Sequence, residues 1–166
     1  LPTFTRSAFD HQLMMNGNSQ VRVIHAAKEA GVNRLVLMGA DIPSLLQTDS
    51  FAYYVGKQQA LAAAKDFAAS SDKRQTAVLQ PAGIYGTRHM ASGLALPLSW
   101  FMSPLSYLQQ SLPQAVQKRL PGAFIDVKKV AGAAVEWATT TEGFDHSEQG
   151  FIQVSNEQLL QWSPPT

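Results

Sequence analysis

The chain has 166 residues, enough for one domain with a hydrophobic core, and 13 Lys and Arg against 12 Asp and Glu give it a net charge of +1. Its basic residues are too few and too scattered to form the basic surface that a nucleic-acid partner needs. There is no cysteine, and the four histidines lie far apart in the sequence, so we expect neither a disulfide nor a metal site.

Residues 9–31 are predicted to form a short approach followed by a helix. Apolar side chains recur there at helical spacing, at Val21, Ile24, Ala27 and Ala30. Gly31 follows the last of them and is well placed to end the helix, because glycine readily adopts the left-handed conformation common after a helix.

Three short apolar runs are predicted to be β-strands. They are Arg34–Met38, residues 76–80 and Phe151–Val154. The first run is continuously apolar and is closed by Gly39, which favours a strand that is buried on both faces. Helices alternate with these strands, and this order is typical of right-handed crossovers and a parallel sheet.

The helix predicted between the first two strands, ending near Ala69, contains Tyr53 and Lys57. Side chains four residues apart lie on one face of a helix, so the phenol and the ammonium are expected to point into the same space. A nearby cation favours the phenolate, so we expect a lowered Tyr53 pKa and a side chain that can donate and accept a proton near neutral pH. The alternative is an exposed Tyr and Lys on a solvated helix face.

The second half of the chain is predicted to begin with irregular apolar structure over residues 90–122 and to end in two helices. Asp126 is expected to cap the longer helix, and Asn156 is expected to start a last short helical turn. Within residues 94–108, two prolines and three serines interrupt the apolar stretch, so we expect no transmembrane span. Three interpretations of this stretch remain: a lid on its own domain, a pocket for a lipophilic substrate, or a surface that docks on a membrane or a partner subunit.

Five motifs occur in the order, and at roughly the spacing, of those in a known protein family. They are Asn16-Gly17, residues 24–32, the run Arg34–Met38, Tyr53-x-x-x-Lys57 and Gln80-Pro81-Ala82-Gly83-Ile84-Tyr85-Gly86-Thr87-Arg88. The series, over about residues 9–160, resembles the second half of an extended, atypical short-chain dehydrogenase/reductase of the NAD(P)-binding epimerase-like family. Gly86-Thr87-Arg88 and the following apolar stretch are most similar to plastid members. More distantly, the chain resembles the group that includes an accessory subunit of respiratory complex I and a coenzyme Q biosynthesis factor.

The resemblance implies an α/β fold, the C-terminal part of a Rossmann-type doubly wound parallel sheet. Residues 1–166 would form a partial NAD(P)-binding domain, with residues 90–125 as an apolar lid or docking segment. The cofactor would be NAD or NADP, and the location would be a chloroplast or a mitochondrion.

The resemblance also implies roles for individual residues. Tyr53 would be the catalytic acid and base, and Lys57 would hold the nicotinamide ribose while lowering the Tyr53 pKa. Pro81, Gly83 and Ile84, after the second strand, would line the nicotinamide side of the cofactor site.

Three departures from the family pattern bear on function. The Ser or Thr that usually ends the first of these strands is replaced by Gly39-Ala40, so a third catalytic group would have to come from Ser44 or Ser50 in the next loop. The Arg that usually precedes the Pro is Gln80. No G-x-G-x-x-G or G-x-x-G-x-x-G turn occurs, so these residues alone are expected to bind a dinucleotide poorly. We expect the native chain to continue upstream of Leu1 with the missing strands; the alternative is that another chain covers that edge of the sheet.

Two functions are compatible with these features. The first is an NAD(P)-dependent oxidoreductase or isomerase acting on a lipophilic organellar substrate. The second is a non-catalytic accessory subunit or assembly factor of an organellar membrane complex that retains the fold and binds protein partners. Fold alone does not distinguish the two.

Overall fold

The computed structural model describes residues 6–89, 95–97, 123–140, 144 and 149–163. In chain order its elements are α1 (Arg6–Leu13), a π-helical turn (Met14–Asn18), α2 (Ser19–Glu29), β1 (Arg34–Met38), a 3₁₀ turn (Ser44–Leu46), α3 (Ala52–Ala69), β2 (Gln75–Leu79), β3 (Gly83–Tyr85), β4 (Thr87–His89), β5 (Ala95–Pro97), β6 (Phe124–Asp126), α4 (Val127–Thr139), β7 (Phe151–Val154) and α5 (Asn156–Gln161). Most of the predicted lid, residues 90–125, lies outside the described residues, and its three interpretations stay predictions. Among the helices that the structure describes, none is long and apolar enough to cross a membrane.

The main sheet has three strands in the order β1-β2-β7, and both pairs are parallel. This confirms the predicted parallel sheet, although β2 starts and ends one residue earlier than predicted. Two smaller pairs accompany it, β3 with β6 in parallel and β4 with β5 antiparallel. The prediction that Arg34–Met38 is buried on both faces is wrong. In the described part of the chain β1 is an edge strand, so its side chains are half-buried or, at Met38, exposed.

Helices cover both faces of the sheet. On one face α2 and α3 bury Ile24, Ala64 and Phe67 against Val78 of β2. On the other face α4 and α5 pack against the next residue of the same strand, Leu79, since successive side chains of a strand point to opposite sides. This arrangement is the doubly wound layering that the sequence predicts.

The first helical segment differs from its prediction. It is already helical at Arg6, the first residue that the structure describes, so the approach predicted from residue 9 onward is helical as well. Its two α-helical parts are joined by the π-helical turn Met14–Asn18. Gly31 follows α2 with a φ of +73°, which confirms it as the C-terminal stop.

Close backbone packing sets the distance between this first helical segment and α3. Buried small residues repeat every four positions along α3, at Ala52, Gly56, Ala60, Ala64 and Ala68. A Cβ atom added to Gly56 would lie 2.9 Å from the backbone nitrogen of Gly17, so the two glycines permit an approach that larger residues would block.

Both C-terminal helices begin as the sequence predicts. The side chain of Asp126 accepts a hydrogen bond of 2.7 Å from the backbone N–H of Lys128 and caps α4. Helix α5 starts at Asn156, and its cap is the preceding Ser155, which forms a reciprocal capping box with Gln158.

Candidate active site at the carboxyl ends of the strands

The three parallel strands end in one row. Met38 is aligned with Leu79, and Leu79 is aligned with Val154. The residues that follow continue the pairing: Gly39 N–H donates to the Leu79 carbonyl at 2.7 Å, and Gln80 N–H donates to the Val154 carbonyl at 2.9 Å. Ligands of open α/β sheets bind beyond this edge, so we refer to the space there as the crevice.

Helix α3 brings Tyr53 and Lys57 to the crevice. The Lys57 Nζ lies 5.6 Å from the centre of the Tyr53 ring, which confirms that the two side chains share one face of the helix. The same Nζ donates a hydrogen bond of 2.8 Å to the carbonyl of Met38, the last residue of β1. Both side chains are half-buried, so the alternative of an exposed pair on a solvated face is not what the structure shows.

The charged forms of both side chains are disfavoured. Burial raises the pKa of Tyr53 and lowers the pKa of Lys57, because each loses hydration that would stabilise its ion. The prediction that Lys57 lowers the Tyr53 pKa is therefore wrong for this structure. The ammonium lies over the ring and donates to the Met38 carbonyl, and desolvation of the phenol decides the direction of the shift. The catalytic roles of Tyr53 and Lys57 stay predictions.

The predicted nicotinamide-side residues lie just after β2. Pro81 is buried, Gly83 is half-buried at the start of β3, and the Ile84 side chain is 46% exposed. The Pro81 carbonyl accepts a hydrogen bond of 3.0 Å from the backbone N–H of Asp41, so the segments after β1 and β2 are joined directly. Their role in cofactor binding stays a prediction.

At the end of β1, where the resemblance leads one to expect Ser or Thr, the neighbouring atoms leave little room for a side chain at Gly39. A Cβ atom at Gly39 would lie 3.0 Å from Val78 Cγ1 and 3.1 Å from the Leu79 carbonyl oxygen, so a larger residue there requires a shift. Ser44 and Ser50 are both exposed in the loop between β1 and α3. Gln80, in place of the usual Arg, donates from Nε2 to Gln153 Oε1 at 3.1 Å.

Asn16 lies in the π-helical turn. Its Nδ2 donates to the Gln12 carbonyl at 3.0 Å, within its own helix. Its backbone packs against Gly56, the neighbour of Lys57. The turn therefore touches α3 directly beside the candidate site.

Two crevice residues were not predicted from the sequence. The pKa of Asp41 is raised, first by burial and second by the charge of Glu157 on α5. Asn156 is buried, and its side chain hydrogen-bonds to the backbone of two other segments. The Ser-x-x-Gln pattern that begins at Ser155 is a readable capping signal, but it does not report the contacts of the Asn156 side chain.

No family model and no curated protein matches the chain. A solved structure of a UDP-N-acetylglucosamine 4-epimerase from Methanobrevibacter ruminantium, in complex with UDP-N-acetylmuramic acid, matches 85% of the chain at 19% identity with a TM-score of 0.50. The enzyme WbmG of Bordetella bronchiseptica, in complex with NAD and UDP, matches 92% of it at 19% identity with a TM-score of 0.47. A second WbmG structure, in complex with NAD, matches 84% of it at 22% identity with a TM-score of 0.43 and is covered over 43% of its own length.

The first of these likenesses supports the fold. Together with the parallel, doubly covered sheet, it confirms the predicted class, part of a Rossmann-type α/β domain. The chain spans just under half, 47%, of the length of that epimerase and of the first WbmG structure.

Proposed function

We propose that this chain is part of an NAD(P)-dependent oxidoreductase or isomerase of the short-chain dehydrogenase/reductase type, with Tyr53 as its acid and base. One observation carries the proposal. Tyr53 and Lys57 share one face of α3 at the carboxyl ends of parallel strands, with Lys57 fixed to the end of β1.

The residues of the crevice fit the nicotinamide–ribose part of the cofactor. An ammonium has three donor hydrogens, so Lys57 can donate to Met38 and still donate to ribose hydroxyls. Pro81 and Gly83 would form the wall beside the nicotinamide ring. No glycine-rich turn occurs in these 166 residues, so we assign none of them to the pyrophosphate.

Tyr53 would hold and transfer the proton of the reaction. When bound, the nicotinamide supplies or accepts a hydride. The Tyr53 phenol is protonated at neutral pH, so it can donate its proton to a carbonyl oxygen during reduction, and its raised pKa makes it a weaker acid than a free tyrosine.

The substrate we propose is a lipophilic carbonyl compound. Two apolar side chains near the strand ends are partly exposed, Met38 at 37% and Ile84 at 46%, and an apolar substrate could cover them. An organellar location is proposed on the resemblance to plastid and mitochondrial proteins. Because the solved structures above hold nucleotide-containing ligands, nucleotide sugars are the main competing substrate class.

The first test is cofactor binding by the full-length protein that contains these residues. We expect NADH or NADPH fluorescence to report a dissociation constant in the micromolar range, and Lys57→Met to weaken it by about 10-fold through loss of charge-assisted hydrogen bonds. Lys65→Met is the matched control, because Lys65 is an exposed lysine two turns further along α3. If Lys57→Met binds as tightly as the control variant, the assignment of Lys57 is wrong.

The second test identifies the reaction. Oxidation of NADH or NADPH is followed with quinones and isoprenoid ketones, and conversion of nucleotide sugars, which consumes no net NADH when they are epimerised, is followed by separating the sugar products. Turnover of a quinone or ketone supports the proposed substrate class, whereas turnover of nucleotide sugars alone would contradict it.

A second candidate is the non-catalytic subunit of an organellar membrane complex. The observation that favours it is the Gly39-Ala40 strand end, with the nearby Ser44 and Ser50 both exposed. It predicts that the protein is recovered from the organelle in a large assembly and that Tyr53→Phe leaves this assembly intact. Turnover by the purified protein without any partner would exclude it.

A further inference from the structure

Asn156 is a buried polar residue whose side chain does not serve its own helix. It is 5% exposed and is the first residue of α5, directly after the Ser155 cap. Its Oδ1 accepts a hydrogen bond of 3.0 Å from the backbone N–H of Ala82, and its Nδ2 donates one of 2.9 Å to the carbonyl of Ala123. One amide therefore joins three segments that are far apart in the sequence.

The two backbone partners have a common position in the fold. Ala82 lies between Pro81 and Gly83, in the segment proposed to face the nicotinamide. Ala123 directly precedes β6, which pairs with β3 starting at Gly83 aligned with Phe124. Asn156 is thus hydrogen-bonded to the residue directly before each of the two paired strands, β3 and β6.

Few side chains could replace this one. The site requires an acceptor and a donor at the two ends of one short planar group, and a neutral amide provides both. A carboxylate keeps the acceptor but sets a second acceptor against the Ala123 carbonyl. An aliphatic residue leaves a buried N–H and a buried carbonyl without their partner, which is costly inside a protein.

We infer that Asn156 is a positioning residue for the cofactor site, one that acts through Ala82 to fix the wall formed by Pro81 and Gly83. The inference rests on the proposed function, because that wall is assigned to the nicotinamide. Asn156 itself would not touch the reacting atoms. It would fix the position of Pro81 and Gly83 relative to the nicotinamide ring. That position affects both the affinity for the cofactor and the distance between the reacting groups.

The experiment compares Asn156→Ala and Asn156→Asp with the wild type in the full-length protein. Leu159→Ala is the control, because Leu159 is fully buried on the same helix and its truncation destabilises the same region without removing the Asn156 hydrogen bonds. Two quantities are measured at a temperature where each protein is folded by circular dichroism: the NADH dissociation constant and hydrogen exchange in peptides covering residues 81–86.

We expect both Asn156 variants to exchange faster over residues 81–86 and to bind NADH about 10-fold more weakly, the scale of one lost buried hydrogen bond. Leu159→Ala should show neither change at matched folded fraction. If one variant fails to fold, the other decides.

Each remaining outcome decides against the inference. Unchanged exchange over residues 81–86 would show that Asn156 does not hold the wall. Faster exchange with unchanged NADH affinity would make its role purely structural. A wild type that binds neither NADH nor NADPH would overturn the proposed function and this inference with it, whereas a wild type that binds and variants that bind equally well overturn the inference alone.

Discussion

The charged side chains at the two ends of the three-stranded sheet differ in their contacts. At the amino end they hydrogen-bond to neighbouring elements through several donors, whereas at the carboxyl end Lys57 uses one of its three donor hydrogens. The Arg34 guanidinium donates to Gln75 Oε1 and to the Ala138 carbonyl, and Arg74 donates to the Lys28 carbonyl at the end of α2. At the other end Lys57 makes one backbone hydrogen bond. Burial there disfavours its charge and that of Tyr53.

This difference fits the proposal that the ligand binds at the carboxyl end of the sheet. Arg34 donates from three of its nitrogens to protein oxygens, and such an arginine is suited to joining two elements. Ionisable groups whose charged forms are disfavoured by burial are typical of sites that bind or react. We therefore expect variants of Tyr53 and Lys57 at the carboxyl end to change function more than stability, and variants of Arg34 at the amino end to do the opposite.

The largest effect is expected for Tyr53→Phe. Loss of the proton donor should lower the turnover of any accepted substrate by about 10²- to 10⁴-fold. The NADH dissociation constant and the melting temperature should change little. The measurement is steady-state kinetics beside a binding titration, with Tyr54→Phe as the control, since Tyr54 is the half-buried neighbour on the same helix. Equal activity of both variants would remove Tyr53 from the mechanism.

The next largest effect is expected for Gly56→Leu. Its added side chain meets the backbone at Gly17, so we expect the free energy of unfolding to fall by about 3 kcal/mol. Ala62→Leu, at an exposed position of the same helix, should cost almost nothing. Urea denaturation of both variants measures the difference. Similar stabilities would show that the first helical segment and α3 are not in close backbone contact.

At the amino end, Arg34→Met should lower the free energy of unfolding by about 1–2 kcal/mol, because Gln75 and Ala138 lose their charged donor. The NADH affinity should stay unchanged. Arg22→Met, at an exposed residue of α2, is the control. If Arg34→Met lost NADH affinity and kept its stability, the conclusion that the amino end serves stability and the carboxyl end serves binding would be wrong.

The smallest effect is expected for Asp41→Asn. Burial and the charge of Glu157 raise the Asp41 pKa in the folded state, so the protonated form favours folding. That contribution is complete below the pKa of the unfolded chain and is lost as the pH rises through the folded pKa. The variant should therefore be more stable than wild type at neutral pH and equal to it at about pH 3. The gain should be at most about 0.5 kcal/mol, because the carboxyl is only partly shielded and water screens much of the effect. Thermal melts across this pH range test the sign.

Local patterns predicted most of the secondary structure. Arg34–Met38 and Phe151–Val154 are strands with the predicted bounds, because each is a short apolar run between clear breaks. The Asp126 cap follows from side-chain chemistry that acts over two residues. The start at Arg6 was missed because residues 6–18 are mostly polar and carry no clear apolar period.

Properties that depend on distant contacts were predicted less well. The spacing of Tyr53 and Lys57 correctly placed both on one helix face, but the direction of the Tyr53 pKa depends on how deeply the phenol is buried. The half-burial of β1 depends on its place at the edge of the described sheet. The link from Asn156 to Ala82 joins residues 74 positions apart, and no local pattern reports it.

The π-helical turn has a consequence for which residues the first helix can carry. A π turn accommodates one residue more than an α-helical turn, so it absorbs the extra residue and leaves the rotational phase of the following helix unchanged. Its backbone at residues 16 and 17 meets Gly56 of α3 at a distance that leaves no room for a Cβ atom. Any residue larger than glycine at position 17 would push aside the helix that carries the candidate proton donor. The glycine of this short turn is therefore a constraint on the crevice, even though none of the side chains in the turn is assigned to the chemistry.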